Sequence, residues 1–242
     1  MSDTSSGPHT LAIDIGGSGL KASVLDAAGQ MVVKRVRAPT PSPATPVAVV
    51  SALVSLSKML PPFDRISIGF PGVVRRGIVF TAPNLGTRAW RGFPLQDEIA
   101  RIFGKPARLE NDAEVAGLGV IQGKGLEVVI TLGTGFGSAL FSDGRMTPHL
   151  ELAHHPVHKS ETYDRYVGDA AMEAIGRKKW NRRVLRVIVI LRTLLNYDTL
   201  YIGGGNARNI TFPPPRNVVL ASNEKGITGG IRLWDEGVWH PR

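Results

Sequence analysis

Apolar residues fall at every second position from Leu11 through Ile13 to Ile15. That period of two predicts a half-buried strand. The alternation stops at Gly16-Gly17-Ser18-Gly19 and resumes with Leu20, Ala22, Val24 and Leu25, so a hairpin with a tight glycine turn is expected within two or three antiparallel strands over residues 11–36. Residues 37–46, rich in Pro, Ser and Thr, read as a loop. Pro46 can open a helix to about Lys58, with Val49, Val50, Leu53 and Leu56 on its apolar face. Next come a short buried strand over 65–70, a turn at 69–72, a strand over 77–81, a helix over 94–103 and a strand over 107–109. A helix capped by Asp112 or a neighbour then runs to about Gln122.

The second half repeats this outline. A strongly apolar strand over 127–132 meets the glycine turn Gly133-Thr134-Gly135-Phe136-Gly137, a return strand covers 138–141, and Asp143-Gly144 makes a further hairpin turn. Helices are expected over 162–176 and 180–196, the second nearly apolar from 184 to 195, as suits packing inside an α/β domain. A strand over 199–202 runs into Gly203-Gly204-Gly205, residues 211–216 with their three prolines are irregular, residues 217–221 form the last strand, and 226–234 a short helix. Residues 1–9 read as a leader. The repeated strand, glycine turn and strand predict two related lobes, residues 1–110 and 111–242, with the last helix returning to the first lobe and both glycine turns facing one cleft.

Bulk properties narrow the classes. The chain has 242 residues, 43% hydrophobic, with 28 glycines and no cysteine. Disulfides, thiolate metal sites and a catalytic thiol are thereby excluded. The polar start lacks the apolar core of a signal peptide, and the longest apolar run is interrupted by Arg186 and Arg192, so a cytoplasmic protein without a membrane span is expected. The formal net charge is +9, spread over both halves: 13 basic against 7 acidic side chains up to residue 110, and 16 against 13 after it. Such a balance favours acidic partners such as nucleotides, polyphosphate, nucleic acid or a phosphorylated substrate. No zinc-finger or RNP-type motif accompanies it.

The candidate chemistry gathers at the breaks between elements. A glycine turn can close backbone N–H groups around an anion, and Asp14 beside it makes sense where a divalent cation lies between the two; the alternative is an ordinary glycine-rich turn. The spacing is neither a dinucleotide fingerprint nor a P-loop. Asp112, after a strand and at a helix start, can take a hydroxyl proton or cap the helix. Asn84 can donate to and accept from adjacent hydroxyls, Glu151 can hold two, and His154 can donate to another or bind metal. His155 and His158 add zinc-type donors without a full ligand set. Six basic residues lie between Arg177 and Arg186, and Lys179, Arg182, Arg183 and Arg186 share roughly one side of a helix; this is either a polyanion track or a solvated face.

Asp14 to Lys21, Gly69 to Gly72, Thr81 to Leu85, Asn111 to Glu114, Leu132 to Leu140, Glu151 to His154 and Ile202 to Gly205 follow one another as they do in the ROK family of sugar kinases. The chain most resembles that family's bacterial polyphosphate glucokinase branch, above all in Thr-Ala-Pro-Asn-Leu followed by Trp90. The resemblance implies an α/β, actin-like and ribonuclease-H-like fold of two lobes around a cleft. It implies phosphoryl transfer from polyphosphate or ATP to the 6-hydroxyl of glucose. Asp112 matches the general base; Asn84, Asn111, Asp112, Glu151 and His154 match sugar positions, with Glu161 the nearest candidate for a second sugar glutamate. Asp14, Gly16, Gly17, Ser18 and Lys21 match the first phosphate loop, Thr134, Gly135 and Gly137 the second, and Gly203, Gly204 and Gly205 the turn near the distal donor. Mg²⁺ would join the donor phosphates with help from Asp14. No structural zinc is expected, since the cysteines that hold it in many relatives are missing. Ala153 replaces the glycine of the family's Glu-Leu-Gly-His, and the segment after Gly205 is short, which weakens the case for an adenine pocket. A homodimer is expected, with Trp234 and Trp239 as contact residues, and no nucleic-acid or membrane partner. The alternatives are a kinase for mannose, fructose or an N-acetylhexosamine, and a sugar-binding regulator without turnover.

Overall fold

The computed structural model describes residues 7–221 and 225–238; most of the expected leader and Trp239 lie outside them. The chain forms two compact units, Met1–Gly119 with Glu224–Arg242, and Val120–Asn223.

In the first unit, β1 (Thr10–Ile15), β2 (Gly19–Leu25) and β3 (Val36–Pro39) form the expected antiparallel meander. Thr45 caps α1 (Pro46–Ser57) by accepting from Ala48 N–H at 3.3 Å, and proline opens the helix. β4 (Arg65–Phe70) joins β1 in parallel. A small hairpin of β5 (Val74–Arg75) and β6 (Ile78–Val79) leads through α2 (Thr87–Trp90) and α3 (Leu95–Phe103) to β7 (Ala107–Asn111), which pairs with β4 in parallel. The sheet order is β3-β2-β1-β4-β7. α4 (Asp112–Leu118) stops at Gly119, short of the expected Gln122, and packs on β4. It therefore groups with the first unit, and the division falls after Gly119 where the sequence pattern suggested residue 110.

β1 departs from its half-buried expectation, because Ala12 is buried as fully as Ile13. The C-terminal segment is the cause: Ile227 and Ile231 pack on Ala12 and Leu25, and Gly230 lies so close that a Cβ there would be 3.0 Å from Ser67 Cβ. Trp234 adds to this cover. Its Nε1 donates to Ser67 Oγ at 2.9 Å, Ser67 Oγ donates to Gly230 O at 2.6 Å, and the guanidinium groups of Arg65 and Arg108 lie 4.9 and 4.4 Å from its ring. Burial, and for Arg65 also the charge of Arg108, pulls both guanidinium pKa values down. Trp234, expected at a subunit contact, is thus engaged within its own chain.

The second unit repeats the first sheet's order. β8 (Leu126–Leu132) and β9 (Phe136–Ser142) make a glycine-turn hairpin, β10 (Arg145–Met146) adds antiparallel to β9, and a short pair, β11 (Pro156–His158) and β12 (Glu161–Thr162), follows. The single helix expected over 162–176 forms as α5 (Tyr163–Val167) and α6 (Asp169–Ile175). Gly168 breaks it: a Cβ there would sit 2.5 Å from Asp164 O and 2.8 Å from Thr134 O, so only glycine fits where the second glycine turn meets the end of α5. α7 (Arg177–Leu195) follows, then β13 (Thr199–Gly203) and β14 (Val218–Leu220), each parallel to its neighbour in the order β10-β9-β8-β13-β14. α8 (Lys225–Thr228) and a 3-10 turn over Gly229–Trp234 complete the first unit.

Trp180 and Val184, Val187, Ile188 and Leu191 of α7 are buried on β8 and β13, each aliphatic side chain contributing roughly 1.5–3 kcal/mol. Buried Glu127 closes the loop before β8. Its carboxylate accepts from the N–H groups of Gln122, Gly123 and Lys124 at 2.7, 2.7 and 3.1 Å and from Tyr201 Oη at 2.9 Å. Burial and then this carboxylate push the Tyr201 hydroxyl up to about 12. Among the described residues no helix is long and apolar enough to cross a membrane.

Candidate active site

In the first unit the β1–β2 turn is an anion cradle by geometry. Gly16 N–H closes on Gly19 O at 3.0 Å, and Thr40 Oγ1 donates to Gly16 O at 2.6 Å while Thr40 N–H reaches Ser18 O at 3.3 Å. The carbonyls are held, and the N–H groups of Gly17 and Ser18 have no acceptor among the described residues. Asp14 and Lys21 face each other across the hairpin with Nζ 2.7 Å from Oδ2, each about one third exposed (33% and 35%). A pair this exposed contributes at most about 1 kcal/mol, so it can rearrange cheaply around a ligand. A Cβ on Gly17 would come within 2.8 Å of Asn84 Cβ, which puts exposed Asn84 against the turn.

Asn111 ends β7 and caps α4: Oδ1 accepts from Ala113 and Glu114 N–H at 2.9 and 3.3 Å, and Nδ2 donates to Gly72 O at 3.2 Å. It is 6% exposed, so its amide is committed to the backbone. Half-buried Asp112 accepts from Ala113 N–H at 2.8 Å and packs on the end of β4, where a Cβ on Gly69 would meet its Cα at 3.3 Å. The strand ends thus bring Asp112, Asn84 and the first glycine turn to the same end of one sheet.

In the second unit three backbone segments converge. Gly204 has φ +85°, and a Cβ on it would lie 2.2 Å from Leu132 O, so the turn after β13 abuts the β8–β9 turn as closely as backbone allows. Gly168 presses on Thr134 from the other side. Gly133 N–H closes on Gly135 O at 3.1 Å, whereas the N–H groups of Thr134, Gly135, Gly204 and Gly205 have no acceptor among the described residues. Gly137 lies inside the β8–β9 ladder opposite Thr131.

Asp164 links this nest to the polar cluster that follows β10, and the sequence pattern missed it. Its Oδ1 accepts from Phe136 N–H at 2.6 Å, and its Oδ2 lies 3.6 Å from His154 Nδ1. Burial raises its pKa above the usual carboxylate range, Phe136 N–H and His154 oppose that, and the charge of Glu151 adds to it. Burial also opposes ionisation of Glu151. There the imidazole of His149, with Nε2 3.6 Å from Oε2, the charge of His154 and the N–H of Ala153 outweigh it, so Glu151 lies below the usual range. Ala153 itself is buried in a 3-10 turn, Leu152–His154. Glu161, expected beside the sugar, lies 3.5 Å from Arg183, whose guanidinium stacks 4.4 Å over Tyr166 and donates to Tyr166 O. Arg183 is therefore turned into the fold, while Lys179, Arg182 and Arg186 are exposed and without an ion-pair partner among the described residues.

No group of three or more His, Cys, Asp or Glu side chains gathers for a metal among the described residues. The donor set suits Mg²⁺ carried on phosphates, which needs one or two carboxylates, and Asp14 beside the first cradle offers one.

The family model described as "ROK family" matches residues 10–154. The chain belongs to the ROK family. Polyphosphate glucokinase from Mycobacterium tuberculosis is 34% identical over 214 residues, covering 83% of this chain and 78% of that protein. The crystal structure of the inorganic polyphosphate/ATP-glucomannokinase from Arthrobacter sp. strain KM superposes with a TM-score of 0.83 at 28% identity, over 93% of this chain and 97% of that one. The ROK family glucokinase from Streptomyces griseus, solved with glucose and AMPPNP, gives a TM-score of 0.76 at 20% identity, over 93% and 98%. The α/β, actin-like and ribonuclease-H-like expectation holds for this ROK chain.

Proposed function

We propose that this ROK protein transfers a phosphoryl group to the 6-hydroxyl of glucose, with polyphosphate as a usable donor and ATP as the second. The observation that carries the reading is Asp112 on the end of the first sheet, beside a glycine turn with free N–H groups. The relatives named polyphosphate glucokinase and glucomannokinase support it across most of the chain.

Asp112 takes the proton of the 6-hydroxyl as that oxygen forms its bond to the terminal phosphorus. The bridging P–O bond of the donor breaks, and the shortened donor leaves with the electron pair. Asn111 acts on Asp112 by fixing the start of α4. By their match to the family's sugar positions, Asn84, Glu151 and His154 read sugar hydroxyls, and Asp164, adjacent to His154, takes the second carboxylate role in place of Glu161. The N–H groups of Gly17 and Ser18, and those of Thr134, Gly135, Gly204 and Gly205, hold phosphate oxygens. Asp14 would help hold Mg²⁺ carried on the donor phosphates, and the ion would offset their charge. Lys179, Arg182 and Arg186 hold distal phosphates of a long donor, since a chain of anions needs charge more than shape.

A coupled assay for glucose 6-phosphate tests this with polyphosphate and with ATP at matched phosphate concentration, and with mannose beside glucose. Turnover of glucose with polyphosphate is expected. Turnover with ATP alone returns the face of α7 to a solvated surface, and none with any sugar ends the kinase reading.

A further inference from the structure

We infer that Asn206 and Asp169 are positioning residues for the phosphoryl donor, setting the direction of the Thr134 N–H and tying the glycine nest to the start of α7. This rests on the phosphotransfer reading only for the identity of the donor. Asn206 follows Gly203, the last residue of β13, and the two glycines after it, and is 6% exposed. Its backbone N–H donates to Leu132 O at 2.9 Å, and its side-chain Nδ2 donates to Asp169 Oδ1 and faces Gly133 O at 3.5 Å. Asp169 N–H also donates to Gly133 O, at 2.9 Å. Two neighbouring carbonyls at the base of the second glycine turn are therefore held from one side.

A trans peptide is planar, so its N–H points opposite to its C=O. Pinning Gly133 C=O toward Asp169 and Asn206 aims the Thr134 N–H, which belongs to the same peptide, the other way. The direction of the Thr134 N–H is thus set by the backbone N–H of Asp169 and by the side-chain amide of Asn206, which the Asp169 carboxylate holds in place.

The same amide continues away from the nest. Asn206 Oδ1 accepts from Asn209 Nδ2 at 3.1 Å, and Asn209 O accepts from Asn181 Nδ2 and from Arg177 Nε, both at 3.0 Å. Asn181, on α7, is 6% exposed and accepts from Thr211 N–H at 2.8 Å. Buried amides linked in series behave as a unit, since each unmet group costs its desolvation. The far end of this series is the first turn of α7, where Arg177, Lys178 and Lys179 stand with no acidic residue, against the favoured sense of the helix dipole. The relay thus fixes the spacing between the glycine nest and the cations at the start of α7.

The test measures binding of sodium tripolyphosphate to the full chain by calorimetry at fixed ionic strength, together with glucose and donor KM and the melting temperature. Asn206→Ala is expected to weaken tripolyphosphate binding about tenfold, the scale of one lost hydrogen bond, with glucose KM within about twofold of wild type. Asn206→Asp places two carboxylates together and should do worse, whereas Asn206→Asp combined with Asp169→Asn restores the bond between 206 and 169 but not the donor to Gly133 O, and should recover part of the affinity. Asn209→Ala probes the relay one step further from the nest and should give a smaller loss of the same kind. Unchanged tripolyphosphate affinity in Asn206→Ala overturns the inference. So does a parallel rise of both KM values that tracks melting temperature, or a swapped pair no better than Asn206→Asp. Wild-type protein that binds tripolyphosphate and gives no glucose 6-phosphate defeats the kinase reading and leaves the positioning role standing.

Discussion

Two glycines at the donor nest make opposite predictions for the same substitution. Gly204 sits at φ +85°, and an added Cβ would lie 2.2 Å from Leu132 O and 2.5 Å from Leu132 N. Ordinary carbon contacts begin near 3.5 Å, so one of the two turns has to retreat by about 1 Å. The left-handed backbone costs roughly 1–2 kcal/mol for alanine and the overpacking about 1–3 kcal/mol more, about 2–5 kcal/mol together. For a chain of this size that lowers the melting temperature by roughly 4–20 °C. Gly133 has no atom within 4 Å of an added Cβ and no left-handed φ. Gly133→Ala is therefore expected to hold or gain stability, by about 0.4–1 kcal/mol, through the reduced freedom of the unfolded chain. Differential scanning calorimetry of the two variants beside wild type reads the contrast directly. If Gly204→Ala melts within about 2 °C of wild type, or both variants fall together, the two turns do not abut as described.

Further expectations follow from single side chains. Asp112→Asn should retain glucose affinity and lose glucose 6-phosphate formation by about 100-fold or more, measured by calorimetry and the coupled assay; unchanged turnover removes Asp112 from the base role. Glu127→Gln turns an amide N–H₂ toward backbone N–H donors and should cost about 2–5 kcal/mol in urea unfolding, whereas an unaltered midpoint would show the loop at 122–124 held by other means. Asp164 binds its proton more tightly folded than unfolded, so its contribution to stability is full below the unfolded pKa near 3.9 and is lost as pH rises through the raised folded value. Asp164→Asn should flatten the stability profile above about pH 4, and parallel profiles for variant and wild type would contradict that sign.

Much of this fold was legible because its strands and helices carry their own periods. Leu11, Ile13 and Ile15 announced β1, Pro46 and the face of Val49, Val50 and Leu53 announced α1, and the apolar run around Val187 announced α7. What stayed hidden was set by distant partners. Ala12 looked like the exposed side of a strand because its cover, Ile227 and Ile231, comes from the far end of the chain. Gly168 looked like a tolerated helix residue because one of the two carbonyl oxygens that crowd a side chain there, Thr134 O, is brought by another hairpin; the other is Asp164 O. At the site, the glycine turns and Asp112 were visible since they sit where strands end. Asp164 was not, because its partners Phe136 N–H and His154 lie 28 and 10 residues away, and nearby Glu161 presented the same charge to a linear reading.

The contact between Ser67 and Gly230 spans 163 residues, and it lies in a unit interrupted by the whole of the other one. At translation rates of about 5–20 residues per second, the ribosome takes roughly 8–33 s to deliver the second partner after the first. During that interval the nascent first sheet holds Ala12, Leu25 and Ser67 uncovered, while the uninterrupted second unit can finish folding. Order of synthesis and order of completion are therefore reversed in this chain.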